Sequence, residues 1–296
     1  MVKAYLRYEQ ASAFGVISSP QGNLVYDESG KLVITGSLEN VSVWNLRQGA
    51  SVQTLVQQTS ADYKAEVTQI VRAPSGPQVA VGYADGSIRV WDHQRGSCLV
   101  TFSGHKSAVT ALRYDKSGGR LASGGKDTDV IVWDIAGEAG LFRLRGHKDE
   151  VTDVVFLDTT GHLVSCSKDS HLRVWQLDTQ HCCQTVVGHR GEVWSMDADA
   201  EETRLVTGST DANLRVYKVS APGGGGEGPK VLEYFGDVRR SGDERALRVR
   251  YSPSGEQLGC LSAGKALELF EVLSEGEVKK RAKRRIKRKL EKKKDK

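Results

Sequence analysis

Three sets of side chains in this chain have the makings of acyl-transfer chemistry, and all three share one spacing. His105, Ser123 and Asp127 precede Trp133; His147, Ser165 and Asp169 precede Trp175; His189, Thr207 and Asp211 precede Tyr217. A hydroxyl, an imidazole and a carboxylate are the parts of a hydrolase triad: the imidazole takes the hydroxyl proton and the carboxylate orients the imidazole. Each histidine stands 28 residues before its aromatic residue, and successive aromatics are 42 apart. One active site needs one nucleophile, whereas every copy of a repeated unit must satisfy its own buried polar groups. Repetition therefore assigns these residues to structural latches. No catalytic residue, cofactor or metal is expected.

The elements that hold these sets read as short strands. Apolar runs such as VTALRYD, RLASGG, DVIVWDI and LVTF are separated by Gly, Asp, Ser and Lys punctuation. Looser copies end at Trp44 (SVWNL), Trp91 (IRVWDH) and Phe270 (LELFEV), making six copies from residue 14 to about residue 273. The second copy keeps only Asp85 and Trp91 of the polar set, and the sixth has Cys260, Gly264 and Phe270. Residues 221–229 (APGGGGEGP) stretch the last aromatic spacing from 42 to 53 and read as a flexible loop.

Charge divides the chain in two. Of 42 Lys+Arg and 37 Asp+Glu, residues 279–296 hold 13 and 2, a local +11 that leaves −6 on the remainder of a chain whose net charge is +5. The expected domains are a repeat body, 1–273, and a basic tail, 274–296. In the tail Val278, Ala282, Ile286 and Leu290 fall every fourth residue, a thin apolar stripe on an expected helix. Lys279, Lys280, Arg281, Lys283, Arg284, Arg285, Lys287, Arg288 and Lys289 cover its other faces. Dense cations suit RNA phosphate, through counterion release, and nuclear targeting. A stripe so narrow, without Trp or Phe, fits a membrane surface poorly.

Other classes fall away. No apolar run reaches the roughly eighteen residues a membrane helix needs. The opening MVKAYLRYEQ lacks the apolar core of a signal peptide. Five cysteines (Cys98, Cys166, Cys182, Cys183, Cys260) form no C-x-x-C pair and read as reduced thiols. Lys106, Lys148 and Arg190 each follow a histidine, and Trp194 stands where neighbouring copies have Thr110 and Thr152. These four make a candidate protein-binding face.

Gly-His early and Trp-Asp late in each four-stranded copy resembles the WD40-repeat family, and the resemblance covers nearly the whole body. It implies an all-β propeller followed here by a basic α-helix. It also implies that His, Ser/Thr, Asp and Trp (Tyr217 in the fifth copy) join in one hydrogen-bonded chain per blade. Propellers of this family usually have seven blades, so either six blades close the ring or the seventh lies beyond Lys296; Ala11–Ile17 sits where a closing strand would be. The segments Tyr5–Ser19, 104–135 and 177–194 are similar to one branch of that family, the Dip-two-like subunits of the UTP-B subcomplex in the nucleolar small-subunit processome. That resemblance implies a fragment or short isoform of a longer protein, without an acidic insertion between copies five and six. It implies a non-enzymatic scaffold in ribosome biogenesis and rRNA processing, with other processome proteins, snoRNA and pre-rRNA as partners and the nucleus and nucleolus as location. A substrate receptor or histone-peptide reader in a nuclear regulatory complex is the second reading.

Overall fold

The computed structural model describes residues 16–19, 22–57, 64–220, 230–273, 276–281 and 283–284. Within these residues the chain is all-β, a propeller fold of six blades, apart from a short helix at 276–281 and 283–284. Five blades are four-stranded and the sixth has three strands; neighbours in each sheet follow chain order. Alternating side chains give every strand two faces, so a sheet buried on both sides reads as the short apolar runs seen in the sequence. Residues 221–229, and Ala11–Ile17 apart from Val16 and Ile17, lie outside the described residues.

Contacts divide the chain into two compact units, Met1–Phe156 and Leu157–Lys296. In the first, blades one (24–55), two (67–103) and three (109–144) bury their apolar residues between consecutive sheets. Ile34, Val41 and Val43 of blade one pack with Val67, Ile70, Val81 and Tyr83 of blade two. Ile88 and Val90 of blade two pack with Val109, Leu112, Leu121 and Trp133 of blade three. Close approach depends on glycine. A Cβ at Gly36, Gly82 or Gly124 would fall 2.8, 2.8 or 2.5 Å from a methyl of Val67, Val109 or Val151, the leading valine of the next first strand.

Side chains stitch the blades as well. Thr68 and Thr110 donate to the carbonyls of Val109 and Val151, and the Asn23 amide exchanges two 2.7 Å hydrogen bonds with the Ile70 backbone, standing in for a strand. Blade four runs over 151–187, and the second unit repeats the scheme in blades five (193–239) and six (246–271). Val206 and Leu214 of blade five pack with Ala246, Val249, Leu258 and Cys260 of blade six. Ser195 Oγ accepts from the Val249 amide at 3.2 Å, and Asp197 accepts from the Tyr251 amide at 2.8 Å. Blade six consists of Ala246–Tyr251, Gln257–Ser262 and Leu267–Glu271.

One irregularity recurs. In blades one to five the pairing of the third strand with the fourth slips by one residue beside the third-strand aromatic, leaving Val52, Leu99, Leu141, Cys183 and Phe235 without a partner across the ladder. This is a β-bulge, which re-aims a side chain and breaks the regular edge. All five extra residues are exposed.

Candidate functional site

Blade three shows how a latch is built. His105 lies before the first strand, Ser123 on the second, Asp127 in the following tight turn and Trp133 on the third. Trp133 Nε1 donates to Ser123 Oγ at 2.9 Å, Ser123 Oγ lies 2.7 Å from His105 Nε2, and His105 Nδ1 lies 2.9 Å from Asp127. Asp127 also accepts the Lys106 amide at 2.8 Å. Burial lowers the His105 pKa against the opposing pull of Asp127, so the ring is neutral near pH 7. Burial works against ionisation of Asp127 too, but the Lys106 amide and His105 outweigh it and hold the carboxyl below its usual range. These states fix one direction of donation: Trp133 to Ser123, Ser123 to His105, His105 to Asp127. Ser123 is 0% exposed, so the hydroxyl that resembles a nucleophile is closed to any substrate.

The fourth and fifth copies place their own sets at the same positions. In the fourth repeat Trp175 donates to Ser165 at 2.8 Å, the Asp169 carboxylate accepts the His171 amide at 3.0 Å, and His147 is buried. In the fifth, His189 Nε2 sits 2.9 Å from Thr207 Oγ1, but Asp211 is 3.8 Å from Nδ1 and the Tyr217 hydroxyl is 3.5 Å from Nε2. Burial, aided by the Arg215 charge and opposed by Asp211, lowers the His189 pKa to about 4.

A depressed folded-state pKa means that the unfolded chain takes up the proton first. The stability this histidine contributes is therefore complete above pH ~6.5 and is lost as pH falls toward 4. The loss should amount to about 3 kcal/mol, and His189→Gln should flatten the stability curve between those limits. An unchanged acid limb in urea titrations of that variant would refute this.

Two blades hold together with residues outside the repeated set. Blade two has no latch histidine; its fully buried Tyr83 places a hydroxyl 3.3 Å from Trp91 Nε1, and the Arg89 guanidinium lies 5.2 Å from the Tyr83 ring centre. In blade six Glu268, in the third strand, accepts the amides of Ser241 and Gly242 at 2.9 and 3.1 Å and pairs with Arg240 at 3.4 Å. The Arg240 side chain is 0% exposed. An ion pair thus holds the loop that a histidine holds elsewhere. An aromatic where the later copies have Gly125, Ser167, Ser209 and Ser262 was the available signal for Tyr83. No motif marks Arg240 and Glu268.

The surface candidates fall as follows. Lys106, Lys148 and Arg190 are exposed. Trp194 is half-buried, with Lys168 Nζ 4.9 Å and Arg245 Cζ 4.5 Å from its ring centre; both cations escaped the sequence reading. Lys279, Lys280, Arg281, Lys283 and Arg284 are exposed on the short helix, while Arg285, Lys287, Arg288 and Lys289 lie outside the described residues. The five cysteines are free, and no metal-ligand cluster occurs among the described residues. No described helix is long and apolar enough to cross a membrane.

With this geometry in hand, a family model described as the WDR3 first beta-propeller domain matches residues 31–219. The chain is 44% identical over 105 residues to WD repeat-containing protein 3 homolog of Dictyostelium discoideum, covering 36% of this chain and 11% of that protein. It is 40% identical over 95 residues to WD repeat-containing protein 3 of Homo sapiens, 31% of this chain and 10% of that one. Against U3 small nucleolar RNA-associated protein 12 of Saccharomyces cerevisiae it is 38% identical over 121 residues, 36% and 13% of the two chains. Each match spans little more than a tenth of the relative.

Proposed function

We propose that this chain, which belongs to the WDR3 first beta-propeller family, is a non-catalytic scaffold of ribosome biogenesis that contacts snoRNA or pre-rRNA in the nucleolus. The observation that carries the reading is the union of a latched propeller with an exposed basic helix in one chain. The name of the yeast relative, which associates that protein with a small nucleolar RNA, supports it. In this reading the body, 1–273, offers rigid blades to proteins of a processome assembly such as UTP-B. Lys106 and Lys148 in the first unit, and Arg190 and Trp194 in the second, are the residues that face proteins.

The tail, 274–296, engages phosphate. Its cations release counterions on binding, which gives affinity without base sequence and a steep fall with salt. Changing Lys279, Lys280, Arg281, Lys283, Arg284 and Arg285 to glutamine should flatten the slope of log affinity against log salt by up to about 4, at about 0.7 per single-strand phosphate contact. Affinity measured from 50 to 200 mM salt on both proteins tests it. An unaltered slope would remove RNA from the tail's role.

A further inference from the structure

The basic tail has no aromatic residue, so it can hold phosphates but not stack bases. A surface of the opposite kind lies on the fourth strand of blade five, Leu232–Arg239. Tyr234 and Phe235 are 60% and 64% exposed, side by side. Exposed neighbouring aromatics cost solvation unless something covers them. Phe235 is the extra residue of the bulge, since Tyr217 pairs with Tyr234 and Val216 with Gly236. A bulge turns two successive side chains toward a common direction instead of opposite faces. The Tyr234 ring stands edge-on to buried Tyr217, centres 6.2 Å apart, which holds it in place. Arg204 lies 5.4 Å from the Phe235 ring centre, and a Cβ added at adjacent Gly236 would meet nothing within 4 Å.

The charges around the rings favour an anion. Arg204 lies beside the Phe235 ring, and Lys218 is its cross-strand neighbour. Of the nearby acids, Asp237 lies 4.0 Å from Arg215, and Glu233 stands opposite Lys218 in the register without an ion pair between them among the described residues. Arg204 and Lys218 face each other directly across the second and third strands, a like-charge pair that costs stability unless an anion bridges it. The bulge breaks the edge that an added β-strand would need. Flat aromatic faces beside unneutralised cations are what a single nucleic acid strand requires, its bases on the rings and its phosphates on the cations.

We infer that the fourth strand of blade five is a base-stacking site for single-stranded RNA, with Phe235 and Tyr234 as platforms and Arg204 and Lys218 as phosphate partners. It rests on the reading that this chain contacts RNA, and it adds a contact whose physics differs from the tail's.

The test uses the full chain, a labelled ten-residue oligoadenylate and an abasic oligomer of equal length. Phe235→Ala should weaken oligoadenylate binding about 5- to 150-fold, with the salt slope unchanged and the abasic oligomer bound as before. Phe235→Trp should restore affinity. Equal loss on both oligomers, equal binding by F235A and the parent, or failure of F235W to restore affinity would overturn the site. So would loss of a co-purifying protein from F235A with RNA binding intact. The glutamine tail variant separates the two readings: a slope it leaves unaltered removes the tail alone, and the ratio of the two oligomers still judges Phe235.

Discussion

Glu268→Gln should cost about 3–5 kcal/mol of stability, because it strands a buried guanidinium. Arg240 has a fully buried side chain, and its one ion-pair partner among the described residues is Glu268. Glutamine keeps an oxygen for the Ser241 and Gly242 amides, so the loss reports the charge rather than the loop. The reverse change should be milder. With Arg240→Met, Glu268 stays 14% exposed and keeps two backbone donors; the cost falls to about 1–3 kcal/mol, the range for a group deprived of one partner. The double variant, in which neither charge is buried, should match Arg240→Met. Urea midpoints at constant slope give the order, and amide exchange along Gln257–Ser262 places the damage in blade six. If Glu268→Gln proved no worse than Arg240→Met, the pair would not be a charge latch.

Gly86→Ala is the second change with a large expected cost. Gly86 has φ of 87°, left-handed backbone that costs an L-residue roughly 1–2 kcal/mol. Its turn also lies against the next blade: an added Cβ would be 2.6 Å from the His105 carbonyl oxygen and 2.9 Å from that of Ser107. Backbone atoms cannot swing away as a flexible side chain can, so overpacking adds about 1–3 kcal/mol. Gly76 separates the two effects, since its φ is 81° and nothing lies within 4 Å of its added Cβ. Gly76→Ala should lose the conformational part alone. Because the clash falls on the residue that begins the blade-three latch, Gly86→Ala should also perturb Trp133 fluorescence. Equal losses at the two glycines would show that the His105 loop yields.

The plan of the blades was legible because each copy repeats chemically distinctive residues at one interval. A Gly-His, a hydroxyl, an aspartate and a tryptophan together are improbable by composition, and a 42-residue period leaves room for four short strands. Legibility ended where a blade solved the same problem with other chemistry. Tyr83 brings its hydroxyl from a position that is glycine in blade three, and Arg240 and Glu268 meet from opposite ends of a 28-residue stretch. The cations beside Trp194 come from residues 26 before and 51 after it. Tertiary proximity of that kind leaves no periodic trace. The bulge escaped for a related reason: alternation of side chains presumes an unbroken ladder, and one extra residue shifts the count without changing composition.

The bulges also bear on how copies of this chain could meet. A regular sheet edge templates a strand from another molecule, and an interrupted one does so poorly. Blades one to five end on a fourth strand with such an interruption, whereas blade six ends, among the described residues, on Leu267–Glu271 with an uninterrupted register to its neighbour. Leu267 and Leu269 on that strand are 65% and 67% exposed. Among the described residues, it is the one last strand of a blade that offers a margin of regular register. Joining two such margins about a twofold axis uses up both, so growth by this route halts at a pair and cannot propagate into a filament.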